Sequence, residues 1–185
     1  MRLTKIFIFI LVFITVSIKT NSNEQLNDTL KEGGKLIFIR HAYAPGTGDP
    51  KNFDIKDCSS QRNLNYKGIE QSKKIGLFFI KNNIKIDKVI SSEWCRCKDT
   101  AYFAFTKFVT RSFLNSFYDI KFVKNKNKQI NELKEYINKS TEVENIIFIT
   151  HYINIQELLN LNTSSGEIII TDKNLSLLGR IKFDY

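Results

Sequence analysis

Two apolar runs constrain this chain more than any other feature. Lys35–Arg40 (KLIFIR) and Asn145–Thr150 (NIIFIT) have interiors with no polar alternation. A strand with one wet face alternates; an unbroken run of this length suits a strand buried on both faces. Such strands sit inside a sheet that helices cover. Each run leads directly into a histidine, His41 and His151, and the chain has only these two. Strand ends are where an α/β sheet presents chemistry. Two side chains that titrate near neutrality, delivered the same way from distant parts of the chain, point to one site.

The rest of the chain fills in such a sheet. Helical spacing predicts a helix over Tyr66–Asn82, with Ile69, Lys73, Gly76, Phe79 and Ile80 on one face. Lys88–Ser91 reads as a short strand. Ser92 is placed to cap a helix from Glu93 to Phe108. Leu114–Val123 reads as a loop plus a strand. Asn127–Asn138 reads as a helix aligning Ile130, Leu133 and Ile137. Ile153–Leu161 reads as a helix that begins soon after His151. Glu167–Thr171 and Ser176–Phe183 read as an antiparallel pair. Strands that alternate with helices imply an α/β three-layer sandwich, a mostly parallel sheet with helices on both faces. His41, Arg96 and His151 then converge beyond the strand ends. The segment Ala42–Asn65, with Pro45, Gly46, Gly48 and Pro50, is a loop long enough to be functional.

Residues 1–23 have the layout of a secretory signal. Arg2 and Lys5 precede an apolar run over Ile6–Ile18, and a polar stretch follows. The run is short for a membrane span, so export and removal are expected, with an uncleaved anchor as the alternative. The domain is then 24–185, periplasmic or extracellular, with no stable membrane association after signal removal. Losing Arg2, Lys5 and Lys19 lowers the net charge from +9 to +6, which still favours anionic ligands. The lysines are scattered and give no nucleic-acid stripe, so no nucleic-acid partner is expected. The run Lys121–Lys128 reads as a solvated face. Cys58, Cys95 and Cys97 can oxidise outside the cytoplasm. Cys58 can pair with Cys95 or Cys97, leaving one odd thiol. The Cys-x-Cys spacing matches no zinc finger, and a Cys–His nucleophile is a weaker alternative.

Four segments carry a resemblance. Arg40-His41-Ala42 resembles the R-H-G/A signature of the histidine phosphatase superfamily, also called phosphoglycerate-mutase-like. Ser91-Ser92, Arg96 and Thr100-Ala101 resemble its S-S-x-x-x-R-x-x-x-T-A segment, and Thr150-His151 its late S/T-H. Arg62, Leu64, Gly68 and Gln71 resemble its R-x-L-T-x-x-G-x-x-Q stretch. They occur in family order over roughly residues 35–155, and small phosphohistidine-phosphatase-like members are most similar. Residues 44–50 and Trp94–Cys97 suggest an exported subgroup. The resemblance implies a phosphoglycerate-mutase-like fold and a small phosphorylated substrate. His41 is the implied nucleophile, forming a phosphohistidine. Arg40, Arg96 and His151 would bind the phosphoryl group, with Arg62 lining the pocket or bracing the loop against Asp49, Asp54 or Asp57. No metal or cofactor is required by this design.

One departure concerns the proton donor. Mutase-like members carry a carboxylate in an L-x-E segment, where this chain has Leu114-Asn115-Ser116. Asp49 is the first substitute, then Glu93, then Glu132. Asn154 could present its amide to substrate, or cap a helix. The alternatives are a phosphate-binding protein without turnover, a phosphomutase, and a zinc site built on His41 and His151.

Overall fold

A computed structural model describes residues 22–185; the leader expected over 1–23 lies outside the described residues up to residue 21. The strands are β1 (Leu36–Arg40), β2 (Ile86–Ser91), β3 (Val109–Thr110), β4 (Asn145–Thr150), β5 (Ile168–Thr171) and β6 (Leu177–Ile181). The helices are α1 (Ser22–Lys31), α2 (Tyr66–Lys81), α3 (Cys95–Phe105), α4 (Lys126–Lys139) and α5 (Tyr152–Leu159). The strands form one sheet in the order β3-β2-β4-β1-β5-β6. The first four run parallel, while β5 is antiparallel to both β1 and β6. This is the expected α/β sandwich, with the expected terminal hairpin.

The two apolar runs are the centre of the sheet. β1 pairs with β4 in register, Leu36 opposite Ile146 through Arg40 opposite Thr150. All six residues of β4 are buried, and Phe38 stacks on Phe148 with ring centroids 5.1 Å apart. One face of the sheet carries Ile37, Ile39, Ile147 and Ile149 against Leu30 of α1, Ile75 and Phe79 of α2, and Ala101 of α3. The other carries Phe38, Ile146 and Phe148 against Leu133 and Ile137 of α4 and Ile155 of α5. Burying a side chain of this size stabilises by roughly 1.5–3 kcal/mol, so the central strands dominate the core.

Three expectations are corrected. The buried face of α2 is Gly68, Gln71, Ser72, Ile75, Gly76 and Phe79; Lys73 and Ile80 point outward, Ile80 being 72% exposed. Small residues at 68, 72 and 76 let this helix approach its neighbours closely. A methyl on Gly76 would overlap the Ala104 carbonyl of α3, and one on Gly68 the Tyr43 carbonyl. Leu114–Val123 holds no strand: a short 3-10 turn ends at Leu114 and another begins at Val123, and the edge strand is β3 instead. α3 begins at Cys95 rather than Glu93, with Trp94 as its cap residue. No helix among the described residues is long and apolar enough to cross a membrane.

Candidate active site

The parallel strands β1, β4 and β2 end at one edge, and the register there places the site. Arg40 is opposite Thr150, so His41 and His151 leave neighbouring strands side by side. Their ring centroids are 5.5 Å apart, and both rings are buried. The His41 amide donates to the Thr150 carbonyl at 2.9 Å, tying the two strand ends together. His41 Nδ1 lies 2.8 Å from the Ala42 carbonyl oxygen. A carbonyl only accepts, so Nδ1 carries the proton and Nε2 keeps its lone pair. Burial lowers the His41 pKa well below the ordinary histidine value, and Arg96, Arg40 and Arg62 lower it further against the opposing Ala42 carbonyl. The ring is neutral at neutral pH, the state a nitrogen nucleophile needs.

His151 ends β4 and is the cap residue of α5. Its Nε2 lies 3.0 Å from Ser92 Oγ, which is 3.1 Å from Asn115 Oδ1. Asn115 Oδ1 also accepts from the Glu93 amide. With Nε2 as donor the chain runs from imidazole to hydroxyl to amide oxygen, and Nδ1 is left as an acceptor 3.5 Å from Arg96 Nη2. Burial, then Arg96, His41 and the other arginines, lower the His151 pKa well below its usual value. The neutral ring thus accepts from Arg96. It becomes a donor on this side only after gaining a proton, which an arriving dianion favours.

Three arginines face the same cavity. Arg40 donates to the Thr163 carbonyl at 2.6 Å and lies 5.3 Å from the centre of the Tyr152 ring. Arg96, with its side chain 4% exposed, forks onto Asp49 at 2.7 and 3.2 Å. In both arginines Nε is buried without a hydrogen-bond partner. A buried unpaired N–H is unfavourable by roughly 1–3 kcal/mol, so the core leaves both guanidiniums incompletely satisfied. Arg62 lines the cavity and also braces the loop, but through carbonyls: Nε donates to Gly48 and Nη1 to Ala44, while its backbone amide donates to Asp49. Burial and the other arginines push its pKa down to about 10, still cationic at neutral pH.

The expected proton donors fall elsewhere. Asp49 lines the cavity, but its carboxylate accepts from Arg96, the Arg62 amide and Trp94 Nε1 at 3.0 Å. Burial raises its pKa; the arginine and these hydrogen bonds outweigh that and hold it below the usual carboxylate range. In this structure it is the ionised partner of Arg96. Glu93 accepts from Asn115 Nδ2 at 2.6 Å, and Glu132 lines a different cavity. Asn154 lies inside α5 rather than at its cap and is not among the residues lining the cavity: it donates to the Asn115 carbonyl, and its oxygen is buried without a partner. The reading missed Asp119 and Lys121, both on the wall. Asp119 lies five residues beyond Leu114, in a stretch read as structural, so its only signal was nearness to the expected L-x-E.

The cysteines resolve into one bridge and one thiol. Cys58 and Cys95 are joined, with Cα atoms 5.7 Å apart. Cys97 is buried 3.5 Å from His151 Nε2, and burial pushes its thiol up to about 12. A buried neutral thiol is a poor nucleophile, which argues against the Cys–His alternative. Among the described residues no three His, Cys, Asp or Glu side chains are grouped to hold a metal ion.

No protein-family model and no curated protein sequence matches the chain. Solved structures do. The chain is similar to the protein histidine phosphatase SixA complexed with tungstate, with TM-score 0.58, 14% identity, and coverage of 80% of this chain and 96% of that one. It is similar to a protein provisionally named phosphohistidine phosphatase SixA from Agrobacterium tumefaciens, with TM-score 0.58, 17% identity, and coverage of 81% and 99%. It is also similar to phosphoglycerate mutase from Thermus thermophilus, with TM-score 0.55, 14% identity, and coverage of 81% and 99%. The fold is therefore the α/β phosphoglycerate-mutase-like fold.

Proposed function

We propose that the protein is a phosphatase that hydrolyses phosphomonoesters or phosphoramidates through a phosphohistidine on His41. The observation that carries this reading is the state of His41: neutral, its tautomer held by Ala42, in a cavity that Arg40 and Arg96 also line. His41 Nε2 attacks phosphorus, the P–O or P–N bond to the leaving group breaks, and the leaving group takes a proton. Water then attacks the phosphohistidine, the N–P bond breaks, and orthophosphate leaves with His41 neutral again. Arg40 and Arg96 spread the charge of the equatorial oxygens as planar donors. His151 stabilises the same oxygens once protonated, and the first amides of α5 add a favourable dipole. Asp119 is the wall carboxylate paired with Lys121, at 3.9 Å, rather than with a buried arginine, and we assign it the proton for the leaving group. Among the neighbours of this fold one binds tungstate, a tetrahedral oxyanion, which supports an oxyanion at this site. The Cys58–Cys95 bridge supports work in an oxidising compartment, and with it the exported location.

Single-turnover trapping tests the reading. With a phosphate ester of a good leaving group, an acid-labile, base-stable phosphoenzyme forms on the wild type, decays in water, and is absent in His41→Ala. A mutase would leave that phosphoenzyme intact in water. A second reading has one observation in its favour: Asp49 already engages both terminal nitrogens of Arg96, as a protein that binds phosphate without turning over esters could afford. Saturable orthophosphate binding with neither phosphoenzyme nor product, in folded protein, would select it.

A further inference from the structure

The cavity over His41 measures about 150 Å³, the volume of about five liquid waters. A phosphoryl group takes up about half of that, so a leaving group of more than a few atoms must extend beyond it. A second cavity, about 600 Å³, abuts the first and shares Trp94, Ser116, Lys121 and Phe122 with it. This falls in the range of cavities that hold organic ligands, roughly 300–1,000 Å³. Its character is aromatic. Phe53, from the loop after His41, stacks on Trp94 with centroids 5.0 Å apart at 25°. Phe122 meets Phe53 and Trp94 edge-on at 5.7 and 5.6 Å. Lys121 Nζ stands 5.1 Å from the centroids of both Phe53 and Phe122. The charged lining is balanced, Lys121 and Lys128 against Asp54 and Glu132, so it gives no general preference for a second anion. The rings pack on one another at ordinary aromatic distances, and the cluster they form is one wall of the second cavity. Here three rings border open space next to the nucleophile.

We infer that the cavity bounded by Phe53, Trp94 and Phe122 is the leaving-group site, and that the substrate class is a monophosphate ester of an alcohol bearing an aromatic ring. The inference rests on the phosphatase reading above for the seat of the phosphoryl group. The ring lies against the cavity-facing side of this aromatic cluster while phosphorus stays over His41. Small polar phosphates, which reach only the first cavity, are poor substrates by comparison.

The test uses two esters whose alkoxides have comparable basicity, 2-(4-nitrophenyl)ethyl phosphate and propyl phosphate. A difference between them reports binding rather than chemistry. The aryl ester is expected to show kcat/KM about tenfold higher, carried by KM, as an aromatic contact of ordinary strength provides. Phe53→Leu should shrink that ratio. A second readout is independent of turnover. Trp94 is the only tryptophan of the chain, and 2-(4-nitrophenyl)ethanol should quench its fluorescence saturably, more weakly in Phe53→Leu. Equal kcat/KM for the two esters with non-saturating quenching overturns the inference and leaves the phosphatase reading standing. Saturable quenching without turnover of either ester keeps the ring site and removes the phosphatase reading. Neither turnover nor saturation removes both.

Discussion

Burial and three guanidiniums hold His41 and His151 uncharged at a pH where a free histidine is already half protonated. Two consequences follow at this scale. The acid limb of kcat/KM in the free enzyme should lie below pH 6.5, the ordinary histidine value; a pH profile with a good leaving group checks this, and a limb at or above 6.5 would contradict it. Stability follows the same sign. Below pH 6.5 the unfolded chain takes up protons that the folded chain refuses, so stability falls with pH by up to about 1.4 kcal/mol per pH unit for each histidine. Urea unfolding at pH 7.5 and 5.5 should show the loss, and His151→Asn should lessen it. The Asp49 contribution has a separate window, since its pKa is depressed: it is lost only as the pH falls through the carboxylate range and below. Asp49→Asn should lower Tm, because it leaves Arg96 buried without its counter-charge; breaking such a pair is destabilising by up to about 3–5 kcal/mol. Saturating orthophosphate should restore part of the loss, which thermal melts with and without phosphate would show. His41, His151, Arg40 and Arg96 were legible because each sits at a strand or helix end that the apolar pattern announces. The role of Asp49 was not, because a carboxylate in a loop reads alike as an acid or as a partner. The fork of Arg96 onto it shows the partner contact, which no sequence pattern announces.

The loop from Ala42 to Asn65 is held as an element by contacts that sequence periodicity does not reveal. Ala42 donates to Thr100 Oγ1, Tyr43 to Gln71 Oε1, and Gln61 accepts from the Cys95 amide at the start of α3. The Cys58–Cys95 bridge fastens the far part of the loop to the same point. Reducing it, or replacing Cys58 by Ser, should destabilise the fold by about 2–4 kcal/mol and loosen the loop that carries Asp49 and Arg62; denaturant melts with and without reductant measure the first effect. Gly68→Ala tests another contact. Its methyl would collide with the Tyr43 carbonyl, two residues from His41, and should be destabilising by roughly 1–3 kcal/mol while lowering turnover. A variant as stable and active as wild type would show that the loop can yield there. The buried face of α2 was misread because Gly, Ser and Gln carry little hydrophobic signal. That face combines the apolar bulk of Ile75 and Phe79 with close backbone approach at Gly68 and Gly76. β3, two residues long, lies below what a pattern can register, whereas β1 and β4, buried along nearly their whole length, could hardly be missed.

Across the whole molecule the charge is positive, +9 over the full sequence, and the cavity gathers Arg40, Arg62, Arg96 and Lys121. Attraction of a dianionic ester should weaken as salt screens it, the screening length being about 10 Å at 0.1 M. KM for a small phosphate ester should rise several-fold between low and high salt with kcat little changed; a flat KM would mean that only contacts within the buried cavity matter. The fold class was readable at this scale because strands buried on both faces have few other homes, and the order of the sheet then follows from how the chain returns β4 between β1 and β2. That return has a mechanical meaning. The two imidazoles hang from adjacent rungs of one hydrogen-bonded ladder, Arg40 opposite Thr150, and neighbouring strands stand about 4.8 Å apart. Their separation is a ruler mark that no hinge can change without tearing the sheet. What can vary is the tooling bolted around it, the loop over 42–65 and the segment over 115–125. Exchanging those segments between chains of this fold should alter which ester is accepted while the gauge of the phosphoryl chemistry stays put.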